Sequence, residues 1–132
     1  MSRESEVLLQ YKTLVVVGLS SDPMRPSYRV SRYMQEHGYR IIPVNPLESE
    51  VLGERCYESL ADVPDPIEFV DVFRRSEFCA EIAQAAADRG ARVLWLQEGV
   101  VSPEAEAVAE RSRMTFIEDA CVMAVHMREF RD

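Results

Sequence analysis

Short apolar runs rich in β-branched residues alternate along this chain with longer stretches in which apolar residues recur every three or four positions. The first run, residues 12–17, is continuously apolar from Leu14 onward and stops at Gly18. Such a run is typical of a strand buried on both faces of a parallel sheet. Residues 26–37 then follow helical spacing, with Pro26 in the first turn and Gly38 as the stop.

The same alternation continues to the end of the chain. Further strands are predicted at 39–44, 67–73, 92–96 and 114–117, and further helices at 76–89, from 103 onward and at 120–130. Ser76 and Ser102 are the candidate N-caps of the first two of these helices. Pro43 lacks a backbone donor, so we expect the second strand to end there or to lie against a bulge.

Residues 45–66 differ from the rest of the chain, because they carry several prolines and show no long periodicity. We predict an irregular crossover there, with one short helical turn at 59–62. The repeated alternation of strand and helix predicts an α/β fold with a doubly wound, mainly parallel five-stranded sheet flanked by helices. A length of 132 residues suits a single domain over 1–132. Ligands of such sheets bind at the carboxyl ends of the strands.

The composition bears on which ligands the protein binds and where in the cell it is found. A net charge of -8 argues against nonspecific binding to nucleic acid or to an anionic membrane. The sequence contains no apolar stretch of about 18 residues, and the charged residues 1–6 have no apolar run behind them, so we expect neither a transmembrane helix nor a secretory signal. Its 3 cysteines are widely spaced without a CxxC motif, and its 2 histidines have no evident carboxylate partners. We therefore expect no disulfide framework, no metal site and a cytoplasmic location.

The loop after the first predicted strand favours an anion. Gly18 permits a tight turn and the close approach of a ligand. Ser20, Ser21, free backbone N–H groups and the following helix N-terminus could together form an anion site, to which Arg25 would add charge-assisted bonds. An ordinary serine-capped turn is the alternative, because a single glycine is a weaker signal than G-x-G-x-x-G.

The second predicted strand is followed by Asn45 and Pro46. Folds that bind NAD usually place an acid at this point to hold the ribose hydroxyl. Its absence disfavours NAD and leaves room for a ligand that carries a ribose phosphate. The alternative is that Asn45 and Pro46 form a turn.

The third predicted strand ends at Phe73 and is followed by Arg74 and Arg75, next to a predicted helix N-terminus. Two arginines are unfavourable there unless an anion offsets them. Phe73 could present its ring to a base or pack into the core. The alternative for the arginines is a solvated pair bonded to surface acids.

Two later strand ends add weaker candidates. Gln97 and Gly99 follow the fourth strand, where a plain glycine turn is the simpler interpretation. Cys121 lies near the N-terminus of the last predicted helix, which would favour a thiolate. Its pairing with His126 is disfavoured, since helical neighbours are three or four positions apart. We therefore favour a structural or ligand-lining Cys121 over a nucleophile.

Taken together and in order, these segments resemble the small single-domain CoA-binding proteins, which are related to the CoA-binding domain of the succinyl-CoA synthetase alpha subunit. The matching stretches are 17–20, 23–28, 38–40, 43–46, 52–53, 70–74 and 95–100. The resemblance implies a Rossmann-like fold that holds coenzyme A along the carboxyl ends of the strands. It implies phosphate contacts from Gly18, Leu19, Ser20 and Arg25, nucleotide contacts from Asn45, Pro46, Phe73 and Arg74, and a pantetheine arm near Gln97 and Gly99.

The chain departs from the family pattern near its end. Ala120 stands where family members often have an arginine, and Val125 precedes His126 where a glutamate is usual. The synthetase's phosphorylated histidine belongs to a second domain that is not part of the resemblance. We therefore expect a module that binds coenzyme A or an acyl-CoA without a complete active site. The alternatives are an NAD(P)-dependent enzyme using the same crevice, a redox or acyl-transfer protein using Cys121, and a regulatory subunit of a larger partner. A homodimer also stays open.

Overall fold

The structure, a computed structural model, describes residues 1–130. Its helices are α1 (Arg3–Gln10), α2 (Pro26–Glu36), α3 (Cys79–Asp88), α4 (Pro103–Arg111) and α5 (Val122–Phe130). Its strands are β1 (Thr13–Val17), β2 (Arg40–Val44), β3 (Glu50–Val51), β4 (Glu54–Arg55), β5 (Phe69–Val72), β6 (Val93–Leu96) and β7 (Thr115–Ile117). Two 3₁₀ turns lie at Leu60–Asp62 and Ser76–Phe78. Among residues 1–130, no helix is long and apolar enough to span a bilayer.

Five parallel strands form one sheet in the order β2-β1-β5-β6-β7. This arrangement confirms the α/β fold with a parallel five-stranded sheet predicted from the alternation, and the Rossmann-like fold that the resemblance implies. The chain builds outward from β1 to β2 and then returns to place β5 on the other side of β1. The switch point therefore lies between β1 and β5, and the loops that leave their carboxyl ends diverge there and open a crevice.

Both faces of the sheet are buried beneath helices. On one face, α1, α2 and α5 cover side chains that include Leu14, Val16 and Trp95, whereas α3 and α4 cover the other face. Trp95 is fully buried and stacks on Phe69 with ring centroids 5.8 Å apart. Its indole Nε1 donates to the Ala120 carbonyl at 2.8 Å, which ties the segment before α5 to the sheet.

The prediction that β2 ends at Pro43 or lies against a bulge there is wrong, since the strand continues to Val44 in an unbroken register with β1. The reason is its position at the edge of the sheet. The Pro43 carbonyl accepts from the Tyr57 N–H at 3.0 Å, so this residue directs its backbone away from β1 and its missing donor breaks no bond to the sheet. The predicted irregular crossover also contains the short antiparallel pair of β3 and β4.

Helix ends agree with the sequence in most places. Ser102 caps α4 by accepting from the Ala105 N–H at 3.0 Å, and Gly38 and Gly90 follow helices with positive φ. The assignment of Ser76 as an N-cap is wrong. Ser76 opens a 3₁₀ turn that leads into α3, and its hydroxyl accepts from the Val101 N–H at 3.3 Å. Helix α1 was not predicted, although Ser2 caps it by accepting from the Ser5 N–H.

Candidate functional site

A crevice of about 810 Å³ opens at the carboxyl ends of β1, β5 and β6. Its volume is in the range of small-molecule pockets. Most of the residues predicted from strand ends line it, namely Gly18, Ser20, Arg25, Phe73, Arg74, Arg75, Gln97, Gly99 and Cys121. The first turn of α2 and residues beside the predicted ones complete the lining, namely Pro26, Ser27, Arg29, Val30, Ser76, Glu98, Val100 and Met123.

The crevice carries a positive charge although the chain as a whole is acidic. Arginines 25, 29, 74 and 75 line it, and Glu98 is the sole carboxylate among the lining residues. The net charge of the chain is -8, so the acidic residues are placed elsewhere. A concave site lined by one sign of charge concentrates ligands of the opposite sign. The arrangement therefore favours an anionic ligand.

Gly18 brings the ends of β1 and β5 together. Its φ is +89°, and a Cβ at this position would lie 2.6 Å from the Phe73 carbonyl oxygen and 2.9 Å from Arg74 Cδ. The close approach is fixed by the ladder, because the Phe73 N–H donates to the Val17 carbonyl at 2.9 Å. Only glycine fits here, and its missing side chain makes the space in which the Arg74 side chain lies.

The two arginines after β5 differ in their partners. The Arg75 guanidinium lies 3.6 Å from the Glu77 carboxylate, and its side chain is 80% exposed. Arg74 forms no ion pair within residues 1–130, and its guanidinium lies over the Phe78 ring, 4.4 Å from the centroid. The solvated, acid-bonded alternative thus describes Arg75, whereas Arg74 has no carboxylate within ion-pair distance among residues 1–130.

The loop after β1 has fewer free donors than the sequence suggested. The Ser20 N–H donates to Ser27 Oγ at 3.0 Å, and both the N–H and the hydroxyl of Ser21 donate to Glu48 Oε2 at 2.9 Å. The backbone N–H groups of these two serines are therefore not among the free donors expected in this loop. Ser21 does not line the crevice, and an anion would meet Arg25 and the first turn of α2 instead.

Leu19, Asn45 and Pro46 also lie outside the crevice lining. Leu19 is fully buried, and its carbonyl accepts from Asn45 Nδ2 at 3.1 Å. Asn45 Oδ1 accepts from the Leu47 N–H at 2.9 Å, so Asn45 forms the turn considered from the sequence. Its side chain joins the loop after β2 to the loop after β1. Pro46 is exposed in the same turn.

A buried carboxyl beneath the crevice was missed. Asp71 lies in the middle of β5 between Val16 and Trp95, and it is 1% exposed. Gln97 Nε2 donates to Asp71 Oδ1. Burial raises the pKa of Asp71 to about 7, although the hydrogen bond from Gln97 opposes this shift. The available signal was one acid inside an otherwise apolar strand.

Cys121 and His126 have different surroundings. Cys121 lines the crevice directly before α5, and its carbonyl accepts from the Val125 N–H at 3.0 Å. His126 is buried, and its Nδ1 shares a hydrogen bond of 2.8 Å with the Tyr33 hydroxyl. Burial and the nearby His37 and Lys12 lower the pKa of His126. Across residues 1–130, no cluster of His, Cys, Asp and Glu is suited to a metal ion.

Comparison with known proteins identifies the family. The sequence model described as "CoA binding domain" matches residues 12–127. The chain belongs to this CoA-binding domain family. The match contains all the strands of the sheet and every residue that lines the crevice.

Members and relatives of the family differ in length. The chain is 42% identical over 121 residues to the uncharacterized protein YneT of Bacillus subtilis strain 168, covering 92% of this chain and 90% of YneT. A hypothetical protein from Pyrococcus horikoshii OT3 shares the fold with a TM-score of 0.92 at 38% identity, covering 95% of this chain and 88% of that protein. The ADP-forming acetate–CoA ligase II of Archaeoglobus fulgidus is 26% identical over 104 residues, which are 77% of this chain and 16% of the ligase.

Proposed function

We propose that this chain is a single CoA-binding domain, which holds coenzyme A or an acyl-CoA in the crevice at the carboxyl ends of β1, β5 and β6 and catalyses no reaction alone. The observation that carries the proposal is Arg74, a guanidinium without a carboxylate partner among the described residues, at the switch point of a CoA-binding family fold. An anion placed there would offset the charge of Arg74, and Arg25, whose guanidinium lies 4.0 Å from the Asp22 carboxylate, would add a second contact.

The crevice has a positively charged part and a part with fewer charges, and coenzyme A is divided in the same way. One end of this molecule is a nucleotide with three phosphate groups, and the other is an uncharged arm with two amides and a thiol. Arg25 and Arg74 follow the adjacent strands β1 and β5. Gln97 and Cys121 follow β6 and β7, where the lining carries fewer charges. Neighbouring strands are about 4.8 Å apart, so the arm would extend across the sheet away from the phosphates.

NAD(P) is a second candidate ligand because one acid, Glu48, is placed near the loop after β1. Glu48 follows β2 and reaches the loop after β1, where its carboxylate accepts from Ser21. An acid after the second strand is the group with which dinucleotide-binding folds hold a ribose. In this chain Glu48 is engaged by Ser21, which supports coenzyme A over NAD as the ligand.

The experiment is a set of thermal melts with coenzyme A, acetyl-CoA, NAD and NADP added separately, followed by calorimetric titration. Coenzyme A at a hundred times its Kd should add about 2.7 kcal/mol of apparent stability. Arg32→Ala is the matched control for Arg74→Ala, since Arg32 is exposed on α2 and pairs with Glu36 outside the crevice. A shift with NAD and none with coenzyme A or acetyl-CoA would reject the proposal.

The same proposal places the protein in a reducing cytoplasm. Cys56, Cys79 and Cys121 are all free thiols, which supports that location. Whether the module acts alone, as a homodimer or beside a partner enzyme subunit is tested by the mass of the purified complex with coenzyme A bound. The ligase relatives are the reason to test for a partner subunit, since the match covers only 16% of one of them.

A further inference from the structure

Gln97 connects the crevice to the interior of the sheet. It follows β6 directly, it is 4% exposed, and it lines the crevice. Its Nε2 donates to Asp71 in the neighbouring strand β5. Its Oε1 receives no hydrogen bond from any of residues 1–130. The Nε2 of the amide is therefore directed at the Asp71 carboxyl, and Oε1 is the atom left to accept a hydrogen bond from a ligand.

The carboxyl below is an unusual residue for its position. Asp71 is enclosed by Val16 and Trp95 on the sheet and by the helices that cover that face. Burying a carboxyl is unfavourable, which is why its pKa is raised. A leucine or valine there would pack without this penalty. The structure thus retains a destabilising group whose single side-chain hydrogen bond goes to a residue of the crevice.

We infer that Asp71 is a positioning residue, which holds the Gln97 amide with Nε2 inward and so presents Oε1 to the crevice as a hydrogen-bond acceptor. An ionised carboxylate only accepts hydrogen bonds, so it discriminates between the two ends of an amide that are otherwise alike in shape. The preferred ligand group opposite Gln97 is then a donor, such as an amide N–H.

This inference rests on the proposed function for the identity of the ligand. The anionic part of the ligand belongs near the arginines that follow β1 and β5, and Gln97 is one strand further along the sheet. The group that meets Gln97 is therefore in the uncharged arm, which has N–H donors. A ligand that lacks the arm should be indifferent to Asp71.

The test compares coenzyme A with adenosine 3′,5′-bisphosphate, which lacks the arm, by calorimetric titration at pH 8. Asp71→Asn replaces the acceptor by an amide that can either donate or accept, so the orientation of Gln97 is no longer fixed. We expect its Kd for coenzyme A to rise roughly three- to ten-fold, and its Kd for the bisphosphate to stay unchanged. Gln97→Met should have a similar selective effect, and the double variant should be no worse than Gln97→Met.

Val72→Ala is the control for a merely structural effect. Val72 is fully buried on the same strand but packs on the opposite face, so its truncation destabilises the fold without touching the pair. The ratio of the Kd for coenzyme A to the Kd for the bisphosphate should be the same in Val72→Ala as in the wild type. Equal losses for both ligands in Asp71→Asn, or additive losses in the double variant, would overturn the inference.

A readout without ligand separates this inference from the proposed function. The side-chain amide resonance of Gln97, assigned by its loss in Gln97→Met, should shift in Asp71→Asn while backbone resonances distant from the pair stay in place. An unshifted amide would overturn the pairing whatever the ligand is. The Gln97 amide resonance could shift in Asp71→Asn while the wild-type protein binds neither coenzyme A nor the bisphosphate. That result would support the pairing of Asp71 with Gln97 and reject coenzyme A as the ligand.

Discussion

Replacing Asp71 by asparagine should change how the stability of the protein depends on pH. The pKa of Asp71 rises from 3.8 to about 7 on folding, because the carboxyl is enclosed in the sheet. The folded protein therefore holds this proton at pH values where the unfolded chain has released it. The contribution of Asp71 to the free energy of unfolding should then fall as the pH rises from about 4 to about 7, and it should be constant above that.

The magnitude follows from the same shift. One pKa unit corresponds to about 1.4 kcal/mol, so the contribution of Asp71 should change by about 4 kcal/mol across this range. Asparagine has nearly the same volume, keeps an oxygen that can accept from Gln97 Nε2, and does not ionise. We expect Asp71→Asn to be close to the wild type at pH 4 and more stable than it at pH 8.

The assay is urea unfolding monitored by tryptophan fluorescence at a series of pH values. Trp95 is the sole tryptophan and is fully buried, so it reports the unfolding of the sheet. All other titratable groups, including His126, are common to both proteins, so their contributions cancel in the difference. Parallel curves for the wild type and Asp71→Asn between pH 4 and 8 would refute the reasoning.

Three other substitutions test the crevice. Arg74→Ala should weaken coenzyme A about tenfold, whereas Arg75→Ala should weaken it less because Glu77 already pairs with Arg75; equal titrations for the two variants would contradict this. Gly18→Ala should lose at least about 2 kcal/mol more in urea unfolding than Gly38→Ala, because both glycines have positive φ but only Gly18 faces a close backbone oxygen. Cys121→Ser should leave the Kd for coenzyme A within about twofold, as measured by titration under reducing conditions. A coenzyme A adduct on Cys121 in the non-reducing intact mass would instead favour the redox alternative.

The strand ends were predictable from the sequence for a physical reason. In a parallel sheet the carboxyl ends of all strands lie on the same side, so residues that follow different strands are candidates for one site before the order of the strands is known. Gly18, Phe73 and Gln97 come together in this way. The order itself was not predictable, and Pro43 illustrates the consequence. Its missing donor is harmless only because β2 is an edge strand.

Hydrogen-bond partners were harder to predict than positions. The Ser21 donors are taken by Glu48, which is 27 residues away, and Gln97 is 26 residues from Asp71. No local pattern connects such pairs, since each depends on how two loops or two strands are placed in space. The Gly18 contact is similar. The sequence predicts a turn there, but the demand for glycine arises from the Phe73 carbonyl on a neighbouring strand.

The two properties of the crevice have different energetic origins. Its positive charge comes from arginines on exposed loops, such as Arg25 and Arg75, whose side chains are 71% and 80% exposed, and which contribute little to folding. The polarity of Gln97 depends instead on a carboxyl inside the sheet, which reduces stability at neutral pH. Asp71→Asn should therefore raise the free energy of unfolding at neutral pH while it weakens binding of the uncharged arm of coenzyme A. A variant that gained stability without losing selectivity between coenzyme A and its nucleotide fragment would show that Asp71 is retained for another reason.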